Sequence, residues 1–296
     1  VLHKFLYVSS SSMRVSGGVE SFDEIMALPE LVEIERGKKT DDGTVSFQNV
    51  SFSYSGDDNL ALSDVSFTAR AGEVTAIVGT SGGGKSTIAH LIPRFWDVSR
   101  GRICIGDADI REMTEQDLMR KVSFVFQDVY LFNQSVRDNI KIGFPEASDE
   151  EVKEAAKAAC CDEFIEKLPD GYDTVLGEGG NHLSGGEAQR ISIARAIIRD
   201  TPVLVLDEAT AFADPENERL IQTALRRLMA GRTVIIIAHR LGSIKDADNI
   251  LVMNEGKLVE SGTHSALLQT NGVYSDMWTR YTQSLEWGIG KETVIS

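Results

Sequence analysis

One glycine-rich phrase has the composition and spacing of a phosphate-binding loop. It reads Gly79-Thr80-Ser81-Gly82-Gly83-Gly84-Lys85-Ser86-Thr87. It lies between an apolar run at 74–78 and helical spacing at 86–92, so its glycines can form a turn whose N–H groups point at phosphate oxygens. Lys85 can then reach the β and γ phosphates, and the Ser86 hydroxyl can coordinate Mg²⁺. The alternative is a turn with an exposed lysine, but the full pattern arises by chance in roughly 1% of chains this long.

Two adjacent carboxylates follow a second apolar run. Asp207 and Glu208 come directly after residues 203–206, at the carboxyl end of a predicted buried strand. Ligands of open α/β sheets bind at that edge. Asp207 can hold Mg²⁺, directly or through water, while Glu208 can orient and deprotonate an attacking water. A solvated acidic loop is the alternative, but it does not explain why the pair follows a strand.

Two polar side chains follow neighbouring predicted strands. His239 comes after the apolar run 234–238, which predicts that it lies beside Asp207 and near a γ phosphate. By itself, a single histidine is more often structural. Gln127 follows the predicted strand 122–126, and its amide could reach Mg²⁺ or the attacking water. The strand order therefore predicts that both side chains belong to the same site.

Tyr54 is the candidate for holding a nucleotide base. It precedes Gly79 by 25 residues and ends a segment, 45–54, in which apolar and polar residues alternate. An exposed aromatic ring there could stack on adenine, an interaction of about 1–3 kcal/mol for bases in general. Because Tyr54 belongs to a predicted strand, burial of its ring in the core is the alternative.

The apolar patterns predict the elements that position these side chains. Alternation predicts a small antiparallel sheet before the glycine-rich loop, and continuous apolar runs are typical of strands buried in a parallel sheet. The predicted strands are 45–54, 61–67, 74–78, 102–105, 122–126, 203–206 and 233–237, and the predicted helices are 86–92, 149–168 and 188–198. Together these elements indicate an α/β fold.

Composition and charge limit the class of protein. The chain has 296 residues, 42% of them hydrophobic, which suits a packed core of one large domain or two modest ones. A net charge of −15 argues against binding to a nucleic-acid backbone, which needs a basic surface. The three cysteines (Cys104, Cys160 and Cys161) and five scattered histidines have no metal-ligand spacing, which argues against a structural metal.

The first 36 residues differ from the rest. Four apolar residues recur there at helical spacing: Val15, Val19, Phe22 and Met26. They predict an amphipathic helix over 1–36 that ends near Pro29, followed by a polar, turn-prone linker at 37–43. No run approaches the roughly 18 apolar residues that span a bilayer. Because the chain opens at Val1 without a methionine, we expect it to be part of a longer protein.

A second phrase identifies the family that the sequence resembles. It reads Leu183-Ser184-Gly185-Gly186-Glu187-Ala188-Gln189-Arg190. With the glycine-rich loop and the paired carboxylates, it makes residues 44–283 resemble the nucleotide-binding domain of an ABC transporter. By this resemblance, Tyr54 is the aromatic residue of the A-loop, residues 79–87 are the Walker A loop, and Gln127 is the glutamine of the Q-loop. Residues 183–190 are the signature, and residues 203–208 are the Walker B strand, in which Glu208 is the general base. His239 is the switch histidine.

The resemblance implies a fold, a set of ligands and a set of roles. The fold is that of a P-loop NTPase: a RecA-like α/β core, an antiparallel β subdomain and a helical subdomain inserted near residues 130–198, with a C-terminal tail at 284–296. ATP and Mg²⁺ are the expected cofactors. The expected metal ligands are Ser86, Gln127 and Asp207. The expected catalytic residues are Lys85, Glu208 and His239.

In this family two domains pair head to tail, and each ATP is shared between them. The signature residues of one domain, Ser184 above all, cover the γ phosphate that the Walker loops of the other domain hold. We therefore expect a second nucleotide-binding domain, identical or different, as the partner of this chain.

The segment before the signature indicates the branch of the family. Residues 174–180 resemble the T-x-x-G-E-x-G element of exporters, although Gly179 replaces the usual arginine. The N-terminal helix resembles the cytoplasmic end of an exporter's last transmembrane helix. Residues 211–214 are commonly S-A-L-D in this family but read Ala-Phe-Ala-Asp here, so only Asp214 matches. The resemblance therefore predicts hydrolysis more firmly than it predicts communication between the two ATP sites of the dimer.

We therefore expect an ATPase that powers export through a membrane domain absent from this chain. The whole protein would lie at the cytoplasmic face of a membrane, with this fragment soluble and without a nucleic-acid partner. A soluble ABC ATPase acting on DNA or ribosomes is the alternative, and the acidic charge and single cassette disfavour it. A non-hydrolysing regulatory partner is a further alternative, which the presence of Lys85, Asp207, Glu208 and His239 disfavours.

Overall fold

The computed structural model describes residues 19, 22, 26, 31, 34–56, 59–177, 183–207, 215–238 and 241–292, with side chains as far as residue 284. The chain divides into two compact units, Val1–Glu33 and Ile34–Ser296. Among the described residues, no helix is both long and apolar enough to cross a membrane.

The first unit has three described residues in helical conformation, within the segment predicted as an amphipathic helix. Val19, Phe22 and Met26 are helical, and each side chain is more than half exposed. Val15 and the predicted end near Pro29 lie outside the described residues.

The second unit is built from two sheets and the helices around them. Its described strands are β1 (Val45–Phe52), β2 (Leu62–Ala69), β3 (Val74–Gly79), β4 (Arg100–Ile105), β5 (Ala108–Asp109), β6 (Val122–Val125), β7 (Val203–Asp207), β8 (Thr233–Ile237), β9 (Asn249–Asn254) and β10 (Lys257–Gly262). Its described helices are α1 (Lys85–Leu91), α2 (Glu115–Met119), α3 (Val136–Lys141), α4 (Asp149–Ala158), α5 (Asp162–Ile165), α6 (Gly185–Arg199), α7 (Pro215–Met229), α8 (His264–Gln269) and α9 (Val273–Glu292).

The small antiparallel sheet predicted before the glycine-rich loop has two strands there, β1 and β2. Its other two strands, β4 and β5, follow α1, and the order is β2-β1-β4-β5. Phe47 of β1 and Phe67 of β2 face each other across this pair of strands, with ring centroids 4.5 Å apart. The same apolar cluster includes Ile88 and Leu91 of α1, which joins this sheet to the helix after the glycine-rich loop.

The segment before β1 lies against this sheet. Residues 37–43, predicted as a linker, contain no helix or strand. The Lys38 backbone N–H donates to the Glu112 carbonyl (2.8 Å), and its ammonium donates to the Asp107 carbonyl (2.6 Å) and contacts the Asp107 carboxylate (2.9 Å). A Cβ added at Gly37 would lie 2.4 Å from the backbone nitrogen of Thr114. These contacts hold the segment in place along the surface.

The second sheet confirms the predicted α/β core. Its order is β10-β9-β3-β8-β7-β6, with β9, β3, β8, β7 and β6 parallel and β10 antiparallel to β9. All five residues of β7 are buried, as expected for a strand covered on both faces. The carboxyl ends of β3, β8, β7 and β6 therefore lie along one edge.

The helices between β6 and β7 differ from the prediction at one point. The helix predicted over 149–168 is two helices, α4 and α5. The chain turns at Cys160, which has a left-handed φ of 58°, and the N–H of Cys161 donates back to the Ala156 carbonyl (2.8 Å). The turn buries Cys161 and Phe164 in the core of the helical region, which a continuous helix would not do.

The last helix also differs from the prediction. The boundary expected between residues 283 and 284 falls inside α9, which continues to Glu292. Neither glycine nor proline interrupts residues 273–287, so nothing in the sequence ends the helix at the expected position.

Candidate functional site

The glycine-rich loop joins β3 to α1, and two of its glycines are required by close backbone approaches. Gly79 has φ +149°, and a Cβ there would lie 2.0 Å from the Met253 carbonyl oxygen of β9. Gly84 has φ +92°, and a Cβ there would lie 2.8 Å from the Ala61 carbonyl oxygen. The loop can therefore follow this path only with glycine at both positions.

The ammonium of Lys85 is held inside the loop. Its side chain is only 6% exposed, and Nζ donates to the carbonyls of Thr80 (2.8 Å) and Gly79 (3.2 Å). A buried cation needs such partners, and a phosphate would be a stronger one. Thr80, Ser81 and Gly82 are exposed, so the loop presents its backbone to solvent beside this charge.

The sheet register brings the predicted acidic and polar residues to the same edge. Asp207 ends β7, is 8% exposed, and pairs with Ile237 of β8. Leu206 pairs with Val125 of β6, so Gln127 follows at the same edge. The predicted adjacency of the two apolar strands is confirmed. Glu208 and His239 lie outside the described residues. Along the chain, Glu208 directly follows Asp207 at the end of β7, and His239 comes two residues after Ile237 at the end of β8.

The donor set at this edge suits a hard cation. Ser86 offers a hydroxyl, Asp207 a carboxylate and Gln127 an amide oxygen, which are the oxygen ligands that Mg²⁺ prefers. Ser86 and Gln127 are exposed and open to a ligand, whereas Asp207 is buried. These residues therefore fit the metal that accompanies nucleoside triphosphates.

Tyr54 is an exposed aromatic residue and not part of the core. It lies two residues beyond β1 and is 53% exposed. Its hydroxyl donates to Thr87 Oγ1 (3.1 Å), at the end of the glycine-rich phrase. Its ring also contacts Trp96 edge-on, at 5.2 Å between centroids, a neighbour that the sequence did not indicate. The exposed ring is thus connected to the loop that would hold the phosphates.

The signature phrase forms the N-terminus of α6. The helix begins at Gly185, three residues before the predicted start, because Ser184 caps it. The Glu187 N–H donates to Ser184 Oγ (3.3 Å), and the Ser184 N–H donates to a Glu187 carboxylate oxygen (2.8 Å), which is a complete capping box. Leu183 is half-buried, whereas Ser184 and Gly185 are exposed. A Cβ at Gly186 would lie 2.8 Å from the Asn217 side chain, so α7 packs closely there.

One wall of the site comes from an element that carries no motif. A cavity of about 340 Å³ lies between the glycine-rich loop and α9. Its lining includes Gly79, Ser81, Lys85, Met277, Arg280 and Tyr281. Tyr281 approaches the backbone so closely that a Cβ at Gly242 would lie 2.4 Å from its hydroxyl. The residues of α9 belong to none of the motifs, so no signal in the sequence places this helix at the loop.

Comparison with known proteins gives concordant matches. The sequence profile of the ABC transporter family matches residues 62–211, about half of the chain. An ATP-dependent lipid A-core flippase of Syntrophus aciditrophicus is 47% identical over 265 residues, covering 90% of this chain and 43% of the flippase. The mycobactin import ATP-binding/permease protein IrtA of Mycolicibacterium thermoresistibile is 49% identical over 260 residues, covering 84% of this chain and 28% of that protein.

A solved structure agrees with these matches. A bacterial Atm1-family ABC exporter with ATP bound is 43% identical, with a TM-score of 0.80, and the match covers 90% of this chain and 47% of that one. The chain belongs to the ABC transporter family, and its second unit contains the ATPase domain of that family. It spans less than half the length of each of these relatives.

Proposed function

We propose that this chain binds Mg²⁺ and ATP at residues 79–87 and hydrolyses the γ phosphate within a dimer, thereby powering transport through a membrane domain. The observation that supports this best is the common sheet edge. The loop that holds Lys85 follows β3, Asp207 ends β7 and Gln127 follows β6. A phosphate-binding loop, a metal carboxylate and a water-orienting amide are the parts that phosphoryl transfer to water requires.

Each residue has a distinct task in this proposal. Lys85 meets the β and γ phosphates, and Tyr54 stacks on the adenine. Ser86, Gln127 and Asp207 hold Mg²⁺, which neutralises charge on the phosphate oxygens when bound. Glu208 takes a proton from the attacking water, and His239 contacts the γ phosphate. For these last two residues, the support is their place in the chain, one residue after the end of β7 and two residues after the end of β8, which are paired.

A second copy of the domain would complete each site. Ser184 and Gly185 are exposed at the beginning of α6, so the N-terminal end of this helix can face an anion on another chain. In the single chain the Ser184 hydroxyl donates to a Glu187 carboxylate oxygen (2.9 Å), a bond that it would exchange for one to the phosphate. Ser184 and Gly185 therefore lie at a surface, whereas Gly186, Gln189 and Arg190 of the same segment are buried. This favours a shared ATP, held by the loop of one copy and covered by the signature of the other.

An apolar groove beside Gln127 supports the proposed membrane-domain partner. A cavity of about 310 Å³ includes Phe126, Tyr130, Phe132 and Ile142, each more than 40% exposed. Clustered exposed apolar side chains mark interaction surfaces. Because Phe126 directly precedes Gln127, a helix docked in this groove would contact the segment that carries a metal ligand.

A half-buried arginine shapes this groove. The guanidinium of Arg195 donates to the carbonyls of Tyr130 (2.8 Å) and Asn139 (2.7 Å), and its burial lowers its pKa to about 10. These bonds hold the segment after Gln127 against α6, the helix that begins with the signature. The groove is therefore linked by these bonds to α6, the helix that begins with the signature, and along the chain to Gln127.

We further propose that the direction of transport is export and that the whole protein acts at the cytoplasmic face of a membrane. The relatives named above include a flippase and an exporter, and the sequence has the exporter-type element at 174–180, although IrtA is named as an importer. Action on nucleic acid or ribosomes is disfavoured by the net charge of −15. Turnover that does not respond to added DNA or RNA would agree with this choice.

The dimer is the sharpest test of the proposal. Glu208→Gln keeps the shape of the side chain but cannot accept a proton, so it should bind ATP and slow cleavage by orders of magnitude. It should then elute as an ATP-bound dimer in size-exclusion chromatography, whereas the parent chain elutes as a monomer. A monomeric Glu208→Gln chain that hydrolyses ATP at the parent rate would contradict both the catalytic role and the shared site.

A matched pair of variants at Ser184 separates the interface from the helix cap. Aspartate and asparagine both cap helices well, so α6 should keep its stability in Ser184→Asp and Ser184→Asn. Only aspartate places a negative charge against the γ phosphate of the other copy. In the Glu208→Gln background we expect Ser184→Asn to retain much of the ATP-dependent dimer and Ser184→Asp to abolish it. Equal dimerisation by the two would argue that Ser184 does not meet a phosphate.

A further inference from the structure

Trp96 belongs to an aromatic cluster around Tyr54 that the roles above do not use. It follows α1 by five residues and is 41% exposed. Its ring lies 5.2 Å from that of Tyr54 with an interplanar angle of 88°, and Phe52 contacts Tyr54 at 4.8 Å and 81°. Both are edge-to-face contacts, the geometry that aromatic pairs prefer.

These contacts leave the Tyr54 ring little freedom. Phe52 and Trp96 each contact the ring almost perpendicularly, and the hydroxyl donates to Thr87 Oγ1 at 3.1 Å. Thr87 is 7% exposed and belongs to α1, so this end of the ring is attached to a fixed element. The ring is nevertheless 53% exposed, which leaves surface available for a base. An exposed ring held in this way has already lost the entropy that stacking would otherwise cost.

We infer that Trp96 is a positioning residue for the nucleotide base. It holds the ring of Tyr54 in the orientation on which adenine stacks, and it acts through Tyr54 and not on the phosphates. The inference rests on the proposed function, because it assumes that Tyr54 meets the base. It adds a residue from outside the recognised motifs to the part of the site that distinguishes a nucleotide from a simple polyphosphate.

Trp96 also has neighbours on its other side. His90 and Phe95 lie 6.0 and 6.4 Å from its ring, and Phe95 stacks on Phe126 of the apolar groove. A role in the groove is therefore the alternative for Trp96. Phe95 provides the matched control, because it is exposed to a similar extent (40%) and contacts Trp96, Phe124 and Phe126, with no ring contact to Tyr54 among the described residues.

The test compares two ligands that differ only in the base and sugar. ADP and inorganic pyrophosphate both occupy the loop, and neither is hydrolysed during calorimetric titration. Trp96→Leu removes the ring, and we expect it to weaken ADP binding about two- to thirteenfold, the range for one edge-to-face pair. Pyrophosphate binding should stay within about twofold of the parent, and Trp96→Phe and Phe95→Leu should bind both ligands like the parent.

The Tyr54→Leu background completes the test. If Trp96 acts through Tyr54, then Trp96→Leu should cause no further loss of ADP affinity once Tyr54 has been removed. An equal loss for ADP and pyrophosphate would show a general structural role and overturn the inference. So would an undiminished effect in the Tyr54→Leu background, or parent-like ADP binding by Trp96→Leu. A parent chain that binds neither ligand would overturn the proposed function itself.

Discussion

Replacing Lys85 by methionine tests the glycine-rich loop most directly. The substitution keeps an unbranched side chain of similar length and removes only the ammonium. In the parent, that ammonium is almost fully buried and bonded to the carbonyls of Thr80 and Gly79. The change should therefore separate the binding of phosphate from the stability of the fold.

The two effects differ in expected size. A hydrogen bond to a charged group contributes about 1.5–3 kcal/mol, so loss of the contact to the phosphates should weaken ATP binding by roughly 10- to 150-fold. Folding should change by no more than about 1 kcal/mol, because the substitution removes the desolvation cost of the buried ammonium together with its net hydrogen-bond stabilisation. The freed carbonyls of the loop can bond to water, since Thr80 is exposed.

Calorimetry with ATP in the absence of Mg²⁺ measures the affinity, phosphate release measures turnover, and thermal unfolding measures stability. We expect Lys85→Met to have much weaker affinity, no measurable turnover and an unfolding temperature close to that of the parent. Lys257→Met is the matched control, because Lys257 is exposed on β10, and it should behave like the parent. Parent-like ATP affinity in Lys85→Met would refute the assignment, and a large loss of thermal stability would show that the ammonium is chiefly structural.

Two further predictions concern other described residues. In Gly79→Ala the new carbon would lie 2.0 Å from the Met253 carbonyl oxygen, so we expect loss of ATP binding and a clear fall in unfolding temperature. Gly82→Ala should lose only about 1–2 kcal/mol to backbone strain, since nothing lies within 4 Å of that position; equal losses would contradict the geometry. Burial raises the pKa of the Cys161 thiol, so the reactive thiolate is scarce at pH 8. Iodoacetamide should label Cys161 only after unfolding, which peptide mass spectrometry can check, and labelling in the folded chain would argue against its burial.

Much of the nucleotide site could be predicted because its parts are local. A glycine-rich turn between an apolar run and a helix needs only neighbouring residues, and β3, the loop and α1 form where the sequence indicates them. The pairing of β7 with β8 followed from the continuous apolar pattern of both strands. Asp207 and Gln127 reach the same edge because each follows or ends a parallel strand of this sheet.

The parts that escaped prediction depend on contacts between distant segments. The break between α4 and α5 at Cys160 contains no glycine or proline that would predict it. It forms because the chain must turn there to bury Cys161 and Phe164. The contact of Trp96 with Tyr54 joins residues on different elements, and periodicity within one element carries no information about it. The approach of α9 to the glycine-rich loop is likewise a contact between distant segments, so periodicity does not predict it.

The position of α9 offers a means of observing the nucleotide site from outside. Ser284 is exposed and lies one helical turn beyond Arg280, so a fluorescent label at Ser284 would lie about 6 Å along the helix axis from the cavity wall. Such a dye would be close enough to respond to charge entering the cavity, yet it would replace no residue that lines it. Of the three native cysteines, Cys104 and Cys161 are buried, so only Cys160 would compete strongly for a thiol-directed dye. The last helix is therefore a natural place from which to record each arrival and departure of nucleotide in real time.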